Sequence, residues 1–364
     1  MLFPYSYVPH SMEKMQEFIE FIFFEVWCKA PGGHPFGFNL FNAKPDLKTV
    51  METFYYSDAK GADFFYGHVE KIYGLFAALS PAQTDQLQAW FKGNNDIDGL
   101  CRNNPTVAIA RYNDLEAFHP ALTNALASFF KGLYSKDLLS LKPLRSVIGE
   151  MDDHHTRFTE VNRQGKCPFC GINDVKGNYH SKREAYDHYL PKGKYPFNSI
   201  NFKNLAPACH ECNSTYKLSR DPLYDAKDPL LAQTGGRRKS FYPYQNSPYS
   251  IELKIAFNSP DWTSIRPDDV ILTTGPEEIR EEINTWLDVY GIEERYKAKC
   301  CGENDGNYWI AQVLDEWKEE GKTPDEFLST LERHAKSKPY AESNFLKKPF
   351  LEACQRSGLF DMQK

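Results

Sequence analysis

Four cysteines in two close pairs are the residues whose types and spacing most directly indicate chemistry. Cys167 is paired with Cys170, and Cys209 with Cys212, each pair with two residues between its members. Two such pairs can supply the four thiolates of a closed tetrahedral zinc site. A passive zinc ribbon has the same ligands, so the cysteines alone predict a structural Zn²⁺ and no reaction.

A histidine beside a carboxylate lies between the two cysteine pairs. Residues 186–190 are predicted to form a short strand, in which neighbouring side chains face opposite ways. Asp187 is therefore expected to bind a hard cation through oxygen, while His188 faces a substrate phosphate and takes a proton from water. Taken by itself, His188 is more typical of a buried core histidine.

The second cysteine pair is predicted to open a short helix over about residues 210–218, with Asn213 in its first turn. Zinc bound to both pairs would hold this helix against the strand that carries Asp187. We therefore expect Asp187 and Asn213 to lie close enough to share one metal ion.

Basic residues are concentrated around these motifs. The segment 157–220 has 11 Lys or Arg and 5 Asp or Glu, whereas the whole chain has a net charge of −6. A local positive charge in an acidic chain fits a polyanion site, although an ordinary solvated face is the alternative for each lysine. The residues predicted to contact nucleic acid are Lys192, Lys194, Lys203, Lys217 and Arg220.

The order of these motifs resembles that of the HNH, or ββα-metal finger, nucleases. The segments concerned are CPFC at 167–170, DHYLPK at 187–192, NL at 204–205 and CHECN at 209–213. The resemblance implies that His188 is the general base and that Asp187 and Asn213 hold a Mg²⁺-type ion. It also implies that Asn204 orients the loop and the base.

Two positions depart from the family pattern. Asn213 stands where the family name has a histidine, and it keeps an oxygen ligand there. Lys217 comes four residues after Asn213, where many members place a lysine three residues on. This spacing puts a specific role for Lys217 in doubt.

The remainder of the chain predicts an α+β fold, mostly α, in three parts. Residues 1–155 form a helical domain, 156–226 the zinc-stabilised finger, and 227–364 a region with a short β element followed by helices. Alternation over residues 251–257 predicts a strand, with residues 270–272 as its partner. His154 and His155 are expected to lie exposed between elements, with no ligand role.

The composition and a few local sequence features argue against several classes of protein. Nine cysteines, an odd count, favour a reducing compartment, and no basic and apolar leader follows Met1. The most apolar stretch, 18–27, contains Glu20 and Glu25 and is too short to span a bilayer. A cytoplasmic protein with no membrane association is expected. No phosphate-binding glycine loop is present, so ATP chemistry within this chain is not expected.

These patterns together predict a metal-dependent endonuclease that hydrolyses phosphodiester bonds. The residues of the site read no base, and it is the resemblance that implies DNA rather than RNA. The flanking helical regions resemble the Septu-type HNH subunits of bacterial anti-phage systems, which work beside an ATPase. This implies a protein partner, either an ATPase subunit or a second copy of the chain. The alternatives are a zinc-stabilised nucleic-acid or protein binding module without catalysis, and a stand-alone restriction-type or homing-type HNH nuclease.

Overall fold

The computed structural model describes residues 1–225, 236–246, 249–258, 260–262 and 264–361. Helices dominate and the sheets are small and antiparallel, which confirms the predicted α+β, mostly α class. Residues 226–235, where the predicted finger meets the predicted C-terminal region, lie outside the described residues. Among the described residues, no helix is both long and apolar enough to cross a membrane.

The α-helices are numbered in chain order. They are α1 Glu13–Phe21, α2 Pro45–Tyr55, α3 Lys60–Phe76, α4 Pro81–Asn95, α5 Ile97–Cys101, α6 Tyr112–Phe118, α7 Pro120–Leu133, α8 Lys136–Leu139, α9 Lys142–Ile148, α10 Met151–Val161, α11 Arg280–Tyr290, α12 Ile292–Cys301, α13 Tyr308–Glu320, α14 Pro324–Ser337 and α15 Asn344–Arg356. The strands are β1 Tyr186–His188, β2 Leu205–Pro207, β3 Glu252–Phe257 and β4 Val270–Gly275. Short π-helices cover Ile22–Trp27, Glu211–Lys217 and Glu303–Asn307.

Aromatic side chains fill the core of the N-terminal helices. The Phe23 ring stacks on Phe91 with centroids 4.2 Å apart, and Trp27 stacks on Phe76 at 5.8 Å. These residues come from the apolar faces of α3, α4 and the helical segment that follows α1. Burial of such large rings is a major source of stability for a helical layer.

The C-terminal region begins with the predicted hairpin and continues as helices. β3 pairs antiparallel with β4, and Ile255 lies opposite Leu272. Helix α11 ends at Gly291, whose φ of +58° is left-handed. A Cβ at Gly291 would lie 2.5 Å from the Tyr216 ring, so the glycine also allows the finger helix to pack closely.

The finger, residues 156–226 of the prediction, packs against both regions. Phe197 contacts Phe91 at a centroid distance of 5.3 Å in the N-terminal core. On the other side Phe169 stacks on Tyr290 at 4.8 Å, and Trp286 Nε1 donates to the Phe169 carbonyl at 2.6 Å. The predicted division into three parts stays a prediction, and the structure adds that the finger is fixed from both sides.

The first residues of the chain join the finger to the C-terminal region. Leu2 N donates to the Pro168 carbonyl at 2.8 Å, and Tyr5 N donates to the Pro243 carbonyl at 2.8 Å. The Tyr340 hydroxyl donates to the Leu2 carbonyl at 3.2 Å. The first residues of the chain are therefore bound to the finger, beside the first cysteine pair, and to the C-terminal region.

Candidate functional site

The four paired cysteines form one buried cluster. Their sulfur atoms all lie within 4.8 Å of one another, and Cys170 Sγ is 3.9 Å from Cys209 Sγ. Tetrahedral zinc with Zn–S bonds of about 2.3 Å requires sulfur atoms roughly 3.8 Å apart. The predicted grouping is confirmed and its spacing fits zinc; the ion itself stays a prediction.

Donors from outside the motif surround these sulfur atoms. Arg295 Nη1 on α12 donates to Cys212 Sγ at 3.2 Å, and Asn173 Nδ2 donates to Cys209 Sγ at 3.6 Å. Four thiolates around Zn²⁺ carry a net charge of −2, which a guanidinium partly balances. The sequence pattern gave no signal for Arg295, because it lies far along the chain from the cysteines.

A two-stranded hairpin presents Asp187 and His188. β1 pairs antiparallel with β2, with Asp187 opposite Ala206 and His188 opposite Leu205. The Tyr189 N–H extends the pairing by donating to the Asn204 carbonyl at 2.8 Å. The predicted strand is therefore present, although it covers only three residues.

Asn204 holds the loop that follows β1. Its side-chain oxygen accepts from Leu190 N at 2.8 Å, and its amide nitrogen donates to the Leu190 carbonyl at 3.0 Å. The side chain is fully buried. These bonds fix the turn leading away from His188, which is the geometry an orienting residue needs.

The imidazole of His188 is held by one ring nitrogen. His188 Nε2 lies 2.9 Å from the Ser199 carbonyl oxygen, which can only accept, so Nε2 carries the proton and donates. Nδ1 then holds a lone pair in the neutral ring. Burial, reinforced by the positive charge of Lys192, lowers the pKa of His188 to about 3.

Tyr134, a residue between α7 and α8, packs directly on His188. The two ring centroids are 4.9 Å apart and the planes meet at 85°. Lys192 Nζ lies over the Tyr134 ring, 5.6 Å from its centroid. Sequence analysis missed Tyr134 because nothing in its local pattern indicates a contact with β1.

Asp187 is bound to a buried lysine. Lys217 Nζ donates to Asp187 Oδ1 at 2.9 Å and to the His188 carbonyl at 2.8 Å. Burial raises the pKa of Asp187, and the ammonium of Lys217 opposes that shift. Asp187 Oδ2 is buried and has no hydrogen-bond partner among the described residues.

This contact corrects the expectation for Lys217. The sequence pattern placed it among the residues that contact nucleic acid, but its side chain has no exposed surface. The ammonium is directed at Asp187 because the π-helix Glu211–Lys217 packs against β1. Lys217 is thus an internal partner of the candidate site and cannot contact a phosphate backbone in this arrangement.

Asn213 lies half-buried in the predicted helix, which is present as the π-helix Glu211–Lys217. Its backbone N–H donates to the Cys209 carbonyl at 3.0 Å, which places it one turn after Cys209 and directly after Cys212. Among the described residues, its side chain makes no hydrogen bond to Asp187. The shared metal ion therefore stays a prediction.

The other predicted basic contacts lie nearer the surface. Lys203 and Arg220 are exposed, and Lys192 and Lys194 are half-buried. Arg220 Nη1 donates to the Asp288 carbonyl at 2.8 Å, so part of its donor capacity is used internally. Burial lowers the pKa of Lys192.

His154 and His155, expected to be exposed, are buried in α10. The Tyr186 hydroxyl donates to His154 Nδ1 at 2.6 Å, and His154 Nε2 donates to the Val8 carbonyl at 3.3 Å. Burial lowers the pKa of His154 to about 4. The polar run was misleading because these two residues face the finger rather than solvent.

Comparison with known proteins finds two short similarities. The chain is 33% identical over 61 residues to the Septu protein PtuB of Bacillus thuringiensis, covering 16% of this chain and 23% of that protein. It is 31% identical over 93 residues to protein ea31 of Escherichia phage lambda, covering 25% of this chain and 26% of ea31. The matched segments span about a quarter of each relative.

No family model matches the chain. No solved structure matches it significantly either. The chain therefore has a weak and partial similarity to a Septu protein.

Proposed function

We propose that this chain is a metal-dependent endonuclease of the HNH type that hydrolyses phosphodiester bonds, with DNA favoured over RNA. The observation that carries the proposal is the state of His188. Its Nε2–H is committed to the Ser199 carbonyl, which leaves the Nδ1 lone pair of the neutral ring to accept a proton. A neutral, fixed imidazole beside a carboxylate is suited to removing a proton from water.

The roles of the surrounding residues follow from this assignment. His188 Nδ1 accepts the proton of the attacking water, and Asn204 keeps the loop after β1 in place. Asp187 and Asn213 would hold Mg²⁺ or Mn²⁺, which when bound neutralises the phosphate and stabilises the leaving oxygen. The four cysteines would hold Zn²⁺ with no open position and take no part in the reaction.

The groups around Asp187 fit a divalent ion that the protein binds with low affinity. Asp187 Oδ2 is a buried oxygen without a partner among the described residues, as a metal ligand would be before the metal binds. The Lys217 ammonium already balances the carboxylate charge. The protein alone therefore offers the ion little net charge, and a phosphate oxygen of the substrate would have to complete the site.

The same ion pair favours a second candidate function, a zinc-stabilised binding module without catalysis. If Lys217 permanently occupies the position of the metal, the finger keeps its fold and its basic surface but cannot assemble the catalytic ion. This alternative and the nuclease differ in one property, the requirement of cleavage for a divalent cation.

We further propose that the chain acts in anti-phage defence with a protein partner, an ATPase subunit or a second copy. The short similarity to the Septu protein PtuB supports this. Light scattering and pull-down from native cells address the partner separately from the chemistry.

The experiment that tests the nuclease proposal is a cleavage assay with purified zinc-loaded protein on plasmid DNA and on structured RNA. Cleavage with added Mg²⁺ or Mn²⁺ is compared with cleavage in the presence of a chelator that is too weak to remove the zinc. Cleavage that depends on the added ion, and that weakens in Asn213→Ala but partly returns at high Mn²⁺, is expected. Binding without cleavage under every ion condition would establish the binding module instead.

A further inference from the structure

We propose that the nucleic acid reaches His188 along a polar groove between the N-terminal helices and the segment that precedes β1. This inference rests on the proposed nuclease function and adds the surface that receives the substrate. We call this surface the entry groove, and it is lined by Tyr134, Lys136, Arg145, Asp152, His155 and Arg183.

The first part of the entry groove is a cavity of about 440 Å³ beside the candidate base. Tyr134 lines it, and the Tyr134 ring also contacts the His188 ring at 4.9 Å. Lys136 and Arg145 lie on the same wall and are exposed. Tyr134 therefore links the cavity to the candidate catalytic histidine, which does not itself line it.

The second part is a cavity of about 500 Å³ on the other side of Arg183. Asp152 and Arg183 line both cavities, so the two are continuous around this pair. Arg183 is held in place by its ion pair with Asp152 at 2.8 Å and by its position over the Tyr186 ring, 5.7 Å from the centroid. The groove thus extends from Tyr134, which contacts His188, to Ala185, the residue before β1.

A buried and unsatisfied side chain lies in this second cavity. His155 exposes only 7% of its surface, and its Nε2 has no hydrogen-bond partner among the described residues. A buried polar atom without a partner is costly and is commonly satisfied by a ligand or water. His155 lines the cavity together with Lys182, so a ligand bound there would lie beside an imidazole and a cation.

The charge of the groove favours a polyanion. Four cationic side chains, Lys136, Arg145, Lys182 and Arg183, line it with two carboxylates, Glu150 and Asp152. Neither lysine has an ion-pair partner in the part of the chain that the structure describes. The exposed pair of Arg145 with Glu150, at 3.4 Å, is weak enough to exchange for a phosphate.

These features together identify the ligand as a nucleic-acid strand. A series of cations along an elongated surface follows a phosphate backbone, and an aromatic ring at one end offers a stacking surface for a base. Two adjoining cavities of this size suit successive nucleotides better than a single small anion. The N-terminal helices therefore contribute directly to substrate binding.

The test measures binding in a His188→Ala background, in which cleavage does not interfere. A fluorescent oligonucleotide is titrated over a range of salt concentrations with the double variant Lys136→Ala and Lys182→Ala. The control double variant, Lys254→Ala and Lys318→Ala, removes two exposed lysines of the C-terminal region. We expect the groove variant to lower the slope of log K against log salt by about 1 to 2, and the control to leave it unchanged.

Tyr134→Ala in the same background is expected to weaken binding about tenfold with an unchanged salt slope, because stacking carries no charge. Equal affinities and slopes for groove and control variants would overturn the groove, even if the wild-type protein cleaves. A loss confined to the groove variant would support it, even if no cleavage is found and the proposed nuclease function fails.

Discussion

Lys217 Nζ lies 2.9 Å from Asp187 Oδ1, and the two side chains expose 0% and 3% of their surfaces. The same ammonium donates to the His188 carbonyl at 2.8 Å. The π-helix Glu211–Lys217 is therefore joined to β1 by a charge pair and, through Cys212, to the first cysteine pair. The position of Asp187 depends on both.

Removing the buried cation is expected to destabilise the finger strongly. Lys217→Met leaves the Asp187 carboxylate buried without a counter-charge, which typically costs about 3–5 kcal/mol. Lys217→Met with Asp187→Asn should recover part of that loss, because no buried charge remains unpaired. Urea unfolding of the zinc-loaded variants measures the difference, with Lys203→Met as a control for loss of an exposed lysine. Additive losses in the double variant would mean that the pair contributes nothing to stability.

Zinc binding is expected at one ion per chain. Cys209→Ser removes one of four buried soft ligands, so the variant should lose the metal and the fold of the finger. Elemental analysis of freshly purified protein measures the stoichiometry, and Cys301→Ser, which lies outside the cluster, is the matched control. Zinc-free wild-type protein that remains folded would contradict the assignment.

Arg295 is expected to strengthen zinc retention without being a ligand. Its guanidinium donates to Cys212 Sγ at 3.2 Å, and loss of such an outer partner typically lowers metal affinity by about 10–100-fold. Arg295→Met should therefore release zinc to a chromophoric chelator faster than the wild type does. Arg295→Lys, which keeps the charge, should release zinc at a rate between those of Arg295→Met and the wild type. Identical release rates for all three proteins would show that the contact does not affect the metal.

The stability of the fold is expected to fall as the pH is lowered from about 7.5 to about 5. Burial lowers the pKa of His154 to about 4, below the unfolded value of 6.5, so the unfolded chain takes up a proton that the folded chain does not. This one histidine should contribute about 2 kcal/mol of stability that is present at neutral pH and lost toward pH 5.

His154→Phe should abolish that part of the pH dependence. Its stability at neutral pH should also be lower, because the Tyr186 hydroxyl loses its acceptor. His334→Gln, an exposed histidine on α14, is the control and should keep the wild-type pH dependence. Urea unfolding measures the free energy of unfolding of each protein at the two pH values. If this free energy depended on pH in His154→Phe as it does in the wild type, His154 would be protonated in the folded state.

Local patterns predicted much of the secondary structure. The hairpin of β3 and β4 and the short helix after Cys209 each follow from residues that are neighbours along the chain. The cysteine cluster was predictable for a similar reason, since a pair spacing of two residues constrains the geometry.

The contacts that define the candidate site were harder to predict from the sequence. Lys217 was predicted to contact nucleic acid, because a lysine in a basic segment usually faces solvent. Its burial depends on Asp187, which is 30 residues away and carries the charge that makes a buried ammonium tolerable. Tyr134 and Arg295 reach the site only through the packing of distant helices, and no local spacing reports such contacts.

The measurement that most directly tests the central claim is the initial rate of nucleic-acid cleavage by His188→Ala, relative to wild type, at saturating Mg²⁺. A general base contributes on the order of 10²–10⁴-fold in rate, so the account predicts a loss of that size with zinc content and nucleic-acid affinity unchanged. His334→Ala, which replaces an exposed histidine on α14, is the control and should cleave like wild type. Cleavage by His188→Ala at the wild-type rate would contradict the account.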